Sequence, residues 1–320
     1  MNKLLQIKNL SVNFLVDKKT IHAIRNISFD LYENEILAIV GESGSGKSVL
    51  MHTILKLLSN NTQVFGNIYY KNKDLLKLKE KDMKKIRGSE ISIIFQDPFS
   101  SLNPTMKIGK QILEAVQENK SKQKVYDLLE DVEIKNPIAK YNNYPHQLSG
   151  GERQRVMIAI AIASNPKIII ADEPTTSLDV TIQKQILDLL KKIKDKYKTS
   201  IIFISHDLSV VKYISKKTVV MYAGKIVEIA NINNLISSPY HPYTRMLIEA
   251  IPKITQEKDI FSIEGSTFSS HKKESGCLFY NRCLNKKRVC ENSLLDIYKL
   301  KNDRFVSCHL YKKEMECKEK

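Results

Sequence analysis

Eight residues, Gly41-Glu42-Ser43-Gly44-Ser45-Gly46-Lys47-Ser48, lie between an apolar run, Ile36 to Val40, and an amphipathic stretch, Val49 to Leu58. Few folds accept that arrangement. Glycine admits positive φ, so Gly41, Gly44 and Gly46 are expected to let the backbone curl until successive N–H groups converge on one anion-sized concavity. The following helix supplies free N–H groups and the positive end of its dipole. Lys47 is placed to reach the β- and γ-phosphates, Ser48 to set its hydroxyl on Mg²⁺, and the backbone of Ser43 and Ser45 to line the cradle. The pattern is that of a strand, a phosphate-binding loop and a helix.

On either side the periodicity of apolar residues gives the organisation. Leu4 to Phe14 and Ile21 to Leu31 alternate apolar and polar residues, which predicts strands of an antiparallel lobe turning at Lys18-Lys19. After the loop, Leu50, Met51, Ile54, Leu55, Leu57 and Leu58 recur at three- and four-residue spacing and predict two adjacent buried rows. Gly66 to Tyr70 reads as a short strand, and Ile91 to Phe95 as a continuous apolar one ending at Gln96. From Ile108 to about Tyr144 the pattern is helical, with Ile112, Val116, Val125, Leu128, Leu129 and Val132 on buried faces and a break at Asn136-Pro137. Helix and strand then alternate: helix Gly151 to Ala163, strand Lys167 to Ala171, helix Thr181 to Asp195, strand Ser200 to Ser205. Such alternation predicts a parallel sheet covered on both faces. A hairpin follows over Thr218 to Tyr222 and Lys225 to Ile229, turning at Ala223-Gly224, and the core is expected to end near Pro252.

Composition removes several classes. The 320 residues, 42% hydrophobic and 27% charged, suit a globular chain with a large core. The longest apolar run, Val156 to Ala163, is well short of the ~20 residues that cross a bilayer. Met1 to Lys8 lacks a signal peptide's apolar core and cleavage site, so the chain is expected to stay in the cytoplasm. A net charge of +16 raises nucleic acid or an anionic membrane surface. The lysines are dispersed, with short clusters at Lys71 to Lys85 and Lys191 to Lys198, and no aromatics interleave with them. That favours a solvated surface over a nucleic-acid stripe.

Further motifs fall in an order that a phosphate loop alone does not dictate. Gln96 follows its strand directly, where its amide oxygen can meet Mg²⁺ or an attacking water. In Leu148-Ser149-Gly150-Gly151-Glu152-Arg153-Gln154, Ser149 and Glu152 make a capping box, and Gly150 and Gly151 leave the first helical N–H groups uncovered for a second phosphate contact. Ile168-Ile169-Ile170-Ala171-Asp172-Glu173 ends an apolar strand in two carboxylates: Asp172 to hold Mg²⁺ through its water shell, Glu173 to polarise the attacking water. Ser177-Leu178-Asp179 reads as a contact loop between protomers, and His206, after the next strand, is placed to bond a γ-phosphate.

Taken together these residues resemble the ATP-binding subunits of ABC transporters, over about residues 4 to 252. The resemblance assigns Walker A to Gly41–Ser48, the Q-loop to Gln96, the signature to Leu148–Gln154, Walker B to Ile168–Asp172, the catalytic carboxylate to Glu173, the D-loop to Ser177–Asp179 and the switch to His206. It implies an α/β P-loop NTPase core of RecA-like type with a parallel sheet, an antiparallel β lobe and a helical subdomain at about 97–150. An ATPase domain over 1–252 would precede a small Cys-bearing tail over 253–320. It also implies Mg²⁺-dependent ATP hydrolysis in a head-to-tail dimer, each ATP lying between one Walker A and the partner's signature. Phe14 is the candidate to stack on adenine, with His22 second, and Asn34 stands where the family usually has Gly in the turn before Glu35.

Asp97-Pro98-Phe99-Ser100-Ser101-Leu102-Asn103-Pro104 and Pro239-Tyr240-His241-Pro242-Tyr243-Thr244-Arg245, with the cysteine tail, are similar to the oligopeptide, dipeptide and nickel importer branch. The branch implies a second, different ATPase subunit, two transmembrane permeases and an extracytoplasmic solute-binding protein. The chain itself would sit at the cytoplasmic face of the membrane and import peptides, nickel or another solute, with part of its charge near that face. The rivals are a soluble ABC ATPase acting on nucleic acid and a redox-sensing module with incidental hydrolysis. In the tail, Cys277, Cys283, Cys290 and Cys308 suit an iron–sulfur cluster, Zn²⁺ or free thiols by composition alone. The resemblance implies a [4Fe–4S] cluster, with Asn281 where the branch usually has Pro; Cys317, near the terminus, is expected to be free.

Overall fold

The computed structural model describes residues 2–17, 19–176, 178–251, 268, 271 and 275–312. Lys18, Ser177, Pro252 and Cys317, and much of the 253–274 stretch, lie outside the described residues. The chain divides into two compact units, each drawn from separate stretches: residues 1–4, 31–36 and 77–204 in the first, residues 5–30, 37–76 and 205–320 in the second.

In the first unit, strands Ile91–Ile94, Ile168–Asp172 and Ser200–Ser205 pair in parallel, with Ile168–Asp172 central and Ile168 opposite both Ile91 and Ser200. Ile168 to Ala171 are wholly buried, the signature of a strand covered on both faces. The helical insertion resolves into Pro98–Ser101, Ile108–Ala115, Lys122–Asp131 and Pro137–Tyr141. Ile112, Val116, Val125, Leu128, Leu129 and Val132 are all buried, as their spacing predicts. At the break, Asn136 takes φ +55° and Pro137 opens the next helix, each in its favoured place. Asn34 adopts φ +56°, so the turn keeps the left-handed conformation that a glycine would give and asparagine tolerates.

The second unit carries the antiparallel lobe, in strand order Lys19–Tyr32, Lys3–Val16, Thr62–Tyr70, Lys73–Asp74. Its other sheet runs from Ile36–Val40, parallel to Lys217–Tyr222, into the antiparallel hairpin strand Lys225–Asn231. The hairpin turns at Ala223 (φ +47°) and Gly224 (φ +82°), both positive as a two-residue turn between twisted strands needs. The tail joins this sheet: Phe305–Val306 pairs with Lys225–Asn231, and Tyr298–Lys299 pairs beyond it.

The helix after the phosphate loop, Lys47–Ile54, is shorter than its apolar pattern predicts. Lys56 takes φ +53°, its N–H reaches Thr53 O at 3.0 Å and that of Leu57 reaches His52 O at 2.8 Å. These two bonds form a Schellman cap, so Leu57 is 48% exposed instead of extending a buried row.

Candidate functional site

The phosphate loop lies in the second unit, between the strand Ile36–Val40 and the helix Lys47–Ile54. Gly44 and Gly46 take positive φ, +78° and +99°. Gly41 does not, contrary to the expectation from sequence; it is glycine for want of space, because a Cβ there would stand 2.2 Å from the Met221 carbonyl oxygen. Gly46 is the helix N-cap and offers no side-chain acceptor, and no acidic residue occupies the first turn. The first-turn amides therefore keep the electrostatic preference for an anion that a capping Asp would satisfy. Ser48 is exposed beside them. Lys47 is 6% exposed, and its Nζ donates to the carbonyls of Gly41 at 2.8 Å and Glu42 at 3.0 Å. The ammonium is thus held at the loop, where a phosphate can exchange for a carbonyl.

Glu42 anchors the loop from behind. Its carbonyl also accepts Ser45 N–H at 3.2 Å, and its own N–H donates to Tyr243 Oη at 3.0 Å. Tyr243 is fully buried, its ring 4.7 Å from that of Tyr222 and 5.5 Å from that of Phe279. Burial first, then the Glu42 charge, pushes its phenol far above the ordinary range, so it remains a neutral acceptor and donor. Sequence reading noted Tyr243 within its motif but not this contact, which joins positions 201 residues apart. His206, also in the second unit, is exposed just after its strand, and Asp207 caps the next helix through Ser209 N–H at 2.7 Å. Phe14 is half-buried in its strand opposite Thr62, and His22 Nδ1 lies 2.8 Å from Asn13 Oδ1.

The first unit brings Gln96 and Glu173 together. Gln96 Nε2 donates to Glu173 Oε2 at 3.3 Å, and Thr176 Oγ1 donates to the same oxygen at 3.0 Å. Glu173 sits at φ +45°, directly after the strand that ends in the buried Asp172. Ser149 caps the helix Gly150–Ile162, accepting from Glu152 N–H at 3.3 Å while Glu152 accepts from Ser149 N–H at 2.9 Å: the capping box that the sequence predicts. Lys140 pairs with Glu152 at 2.7 Å. Burial alone would raise the Glu152 carboxyl; the Lys140 and Ser149 hydrogen bonds outweigh it and hold it below the usual range.

The paired glycines differ. A Cβ on Gly151 would stand 2.9 Å from Ile182 Cγ2, so helix packing demands Gly151, whereas Gly150 has no such neighbour. Asp179 caps the helix Val180–Tyr197 through the N–H groups of Thr181 and Ile182, both at 3.0 Å. Sequence reading missed Arg155, which ties this unit together by donating to Val132 O at 2.8 Å and to Glu133 at 3.0 Å.

In the tail, Cys277, Cys283, Cys290 and Cys308 line one pocket with His309 and Phe279. As a donor set four thiols fit a metal cluster, but among the described residues no group of three or more His, Cys, Asp or Glu is arranged to hold a metal ion. Burial pushes the Cys277 thiol up to about 11 and that of Cys308 up to about 12, with the neighbouring cysteines adding to both, and it raises Cys283 as well. A thiolate there needs a cation beside it. No described helix is long and apolar enough to cross a membrane.

Residues 24–176 match the family model for ABC transporters, and residues 227–290 match that for the oligopeptide/dipeptide transporter C-terminal region. The chain is 47% identical over 276 residues to the oligopeptide transport ATP-binding protein OppD of Bacillus subtilis, covering 83% of this chain and 77% of that one. It is 48% identical over 273 residues to the dipeptide transport ATP-binding protein DppD of Lactococcus lactis, covering 82% and 78%. Among solved structures, a dimeric ATP-binding cassette in a post-hydrolysis state with ADP and phosphate is similar, with a TM-score of 0.63 and 27% identity over 72% of this chain and 99% of that one. So is cbiO1 from Clostridium perfringens, part of an ABC transporter complex, with a TM-score of 0.65 and 27% identity over 74% and 92%.

Proposed function

The chain belongs to the ABC transporter ATP-binding family, in the branch that carries the oligopeptide/dipeptide transporter C-terminal region, and from that premise we propose how it powers peptide import. It is an ATPase, the ATP-hydrolysing subunit of a peptide importer. The observation that carries this is the joint match: both segments are present in one chain, and relatives at 42–48% identity are named for oligopeptide and dipeptide transport.

The roles of the residues are our reading. The loop Gly41–Ser48 binds the phosphates, with Lys47 exchanging its carbonyl contacts for phosphate oxygens. Ser48, Asp172 and Gln96 supply oxygens, the donors that Mg²⁺ takes; that ion, when bound, neutralises charge developing on the phosphates. Glu173 accepts the proton of the attacking water, and Gln96, bonded to it, orients both. His206 bonds the γ-phosphate. Ser149, Gly150 and Gly151 serve a second ATP across a head-to-tail dimer, with Asp179 in the contact. Val180, beside Asp179, is 81% exposed, as a contact surface awaiting a partner would be. Phe14 stacks on adenine.

The partners follow from the same reading: a second ATPase subunit, two permeases and an extracytoplasmic binding protein, with this chain on the cytoplasmic face of the membrane. Pull-down of the tagged chain from detergent-solubilised membranes tests it. Two multi-spanning permeases and a second ATPase are expected; nucleic acid or ribosomes without permeases would overturn it.

The four-cysteine pocket we read as the seat of a [4Fe–4S] cluster, with Cys277, Cys283, Cys290 and Cys308 as its ligands after a local closure of the sulfurs. Support comes from their sharing one pocket. Anaerobically purified protein is expected to contain iron. Colourless, iron-free protein with four thiols open to alkylation ends the idea.

A further inference from the structure

Arg282 belongs to the cysteine tail, directly before Cys283, yet its guanidinium is spent on the phosphate loop. Nη1 donates to Glu42 Oε2 at 3.0 Å and Nη2 to Glu42 Oε1 at 3.1 Å, a bidentate pair between residues 240 apart in sequence. The arginine side chain is 5% exposed and that of Glu42 23%, so the pair is largely withdrawn from water. Fork-on-carboxylate geometry fixes orientation as well as charge. Nη1 also lies 3.4 Å from Tyr222 Oη, and the guanidinium carbon lies 5.7 Å and 5.8 Å from the rings of Tyr222 and Phe279. Arg282 closes the one-turn helix Tyr280–Arg282, where its own N–H is bonded to Phe279 O at 3.1 Å.

Glu42 is an awkward residue for a loop that receives a polyanion. Left unpaired, its carboxylate would repel phosphate across a partly desolvated space, where charges are weakly screened. Its carbonyl, meanwhile, is one of the two that hold Lys47 Nζ. Arg282 therefore stands two contacts from the phosphate-binding ammonium: guanidinium to Glu42 carboxylate, and Glu42 carbonyl to Lys47.

We propose that Arg282 is a positioning residue for nucleotide binding, which neutralises and holds Glu42 on the phosphate loop, so that the cysteine tail sets the affinity of the site for ATP. This rests on the reading of Gly41–Ser48 as the ATP site. The test is equilibrium binding of ATP to the purified full chain and to R282M, R282K, E42Q and the R282M/E42Q double variant, with thermal unfolding recorded for each.

Wild type that binds no ATP would refute the site itself. Given wild-type binding, R282M is expected to weaken ATP roughly tenfold, within the range usual for coupled sites, with R282K recovering part of it. In the double variant, where no carboxylate remains to repel the phosphates, binding returns toward that of E42Q. Arg282 that merely supports the fold would lower the melting temperature in both R282M and the double variant without that recovery. R282M that binds ATP as wild type does, or a double variant no better than R282M, overturns the proposal.

Discussion

Glu173 holds its carboxylate on a backbone at φ +45°, a conformation that costs a non-glycine residue about 1–2 kcal/mol and persists only when its surroundings enforce it. Its N–H, bonded to Ile204 O at 3.0 Å, and its Oε2, shared by Gln96 and Thr176, supply that enforcement. Glutamine keeps the shape and removes the carboxylate that we propose as the proton acceptor. E173Q is therefore expected to lower phosphate release by about 10²–10⁴-fold while ATP binding is kept and closed dimers accumulate, the ordinary worth of a general base. Undiminished hydrolysis in a steady-state phosphate assay would refute the role. Lys47 differs because, on the proposed reading, it serves binding and turnover alike. K47A removes the ammonium held by Gly41 and Glu42, so ATP affinity and kcat should fall together, measured by titration and by phosphate release.

At the scale of elements, the helix Gly150–Ile162 shows two demands on three residues. Ser149 and Glu152 cap it; Gly151 lets it approach the helix Val180–Tyr197, which carries Ile182. S149A should cost about 1 kcal/mol in urea unfolding, the usual value of an N-cap. G151A should destabilise by about 1–3 kcal/mol through the Ile182 contact, and I182A in the same chain should return part of that loss. An additive double variant would mean that the two side chains do not meet. The capping box was legible in the sequence because its partners are three residues apart; the reason for Gly151 was not, since Ile182 lies on another helix. The same divide runs through the fold. Continuous apolar runs such as Ile168–Ala171 announced buried parallel strands, and the Ala223-Gly224 hairpin announced itself by its turn. The early end of the phosphate-loop helix was hidden, because Lys56 at φ +53° is a cap that composition does not advertise. Gly41 looked like its neighbours and turned out to answer a steric demand from Met221.

On the scale of the molecule, the described tail is built into the second unit by buried polar contacts, and these give it a pH response. Glu228, wholly buried, accepts from Arg304 at 2.9 Å and from the backbone N–H of His241 at 2.8 Å. His241 is 2% exposed, and its Nδ1 accepts from Tyr243 N–H at 3.1 Å, which requires that nitrogen unprotonated. Burial pushes its pKa down to about 3. An unfolded histidine binds its proton near 6.5, so between those values the unfolded chain carries a proton that the folded chain refuses. Stability from this group is complete above pH ~6.5 and is lost as pH falls, by up to about 2 kcal/mol between pH 7 and pH 5. Asparagine at this position keeps an N-cap acceptor and cannot titrate. Wild type should therefore lose stability in urea from pH 7 to pH 5 more steeply than H241N, the difference appearing entirely below pH ~6.5. Parallel slopes would mean that His241 protonates in the folded state without penalty, and that the motif Pro239–Arg245 is held by its shape and not by the neutrality of its imidazole.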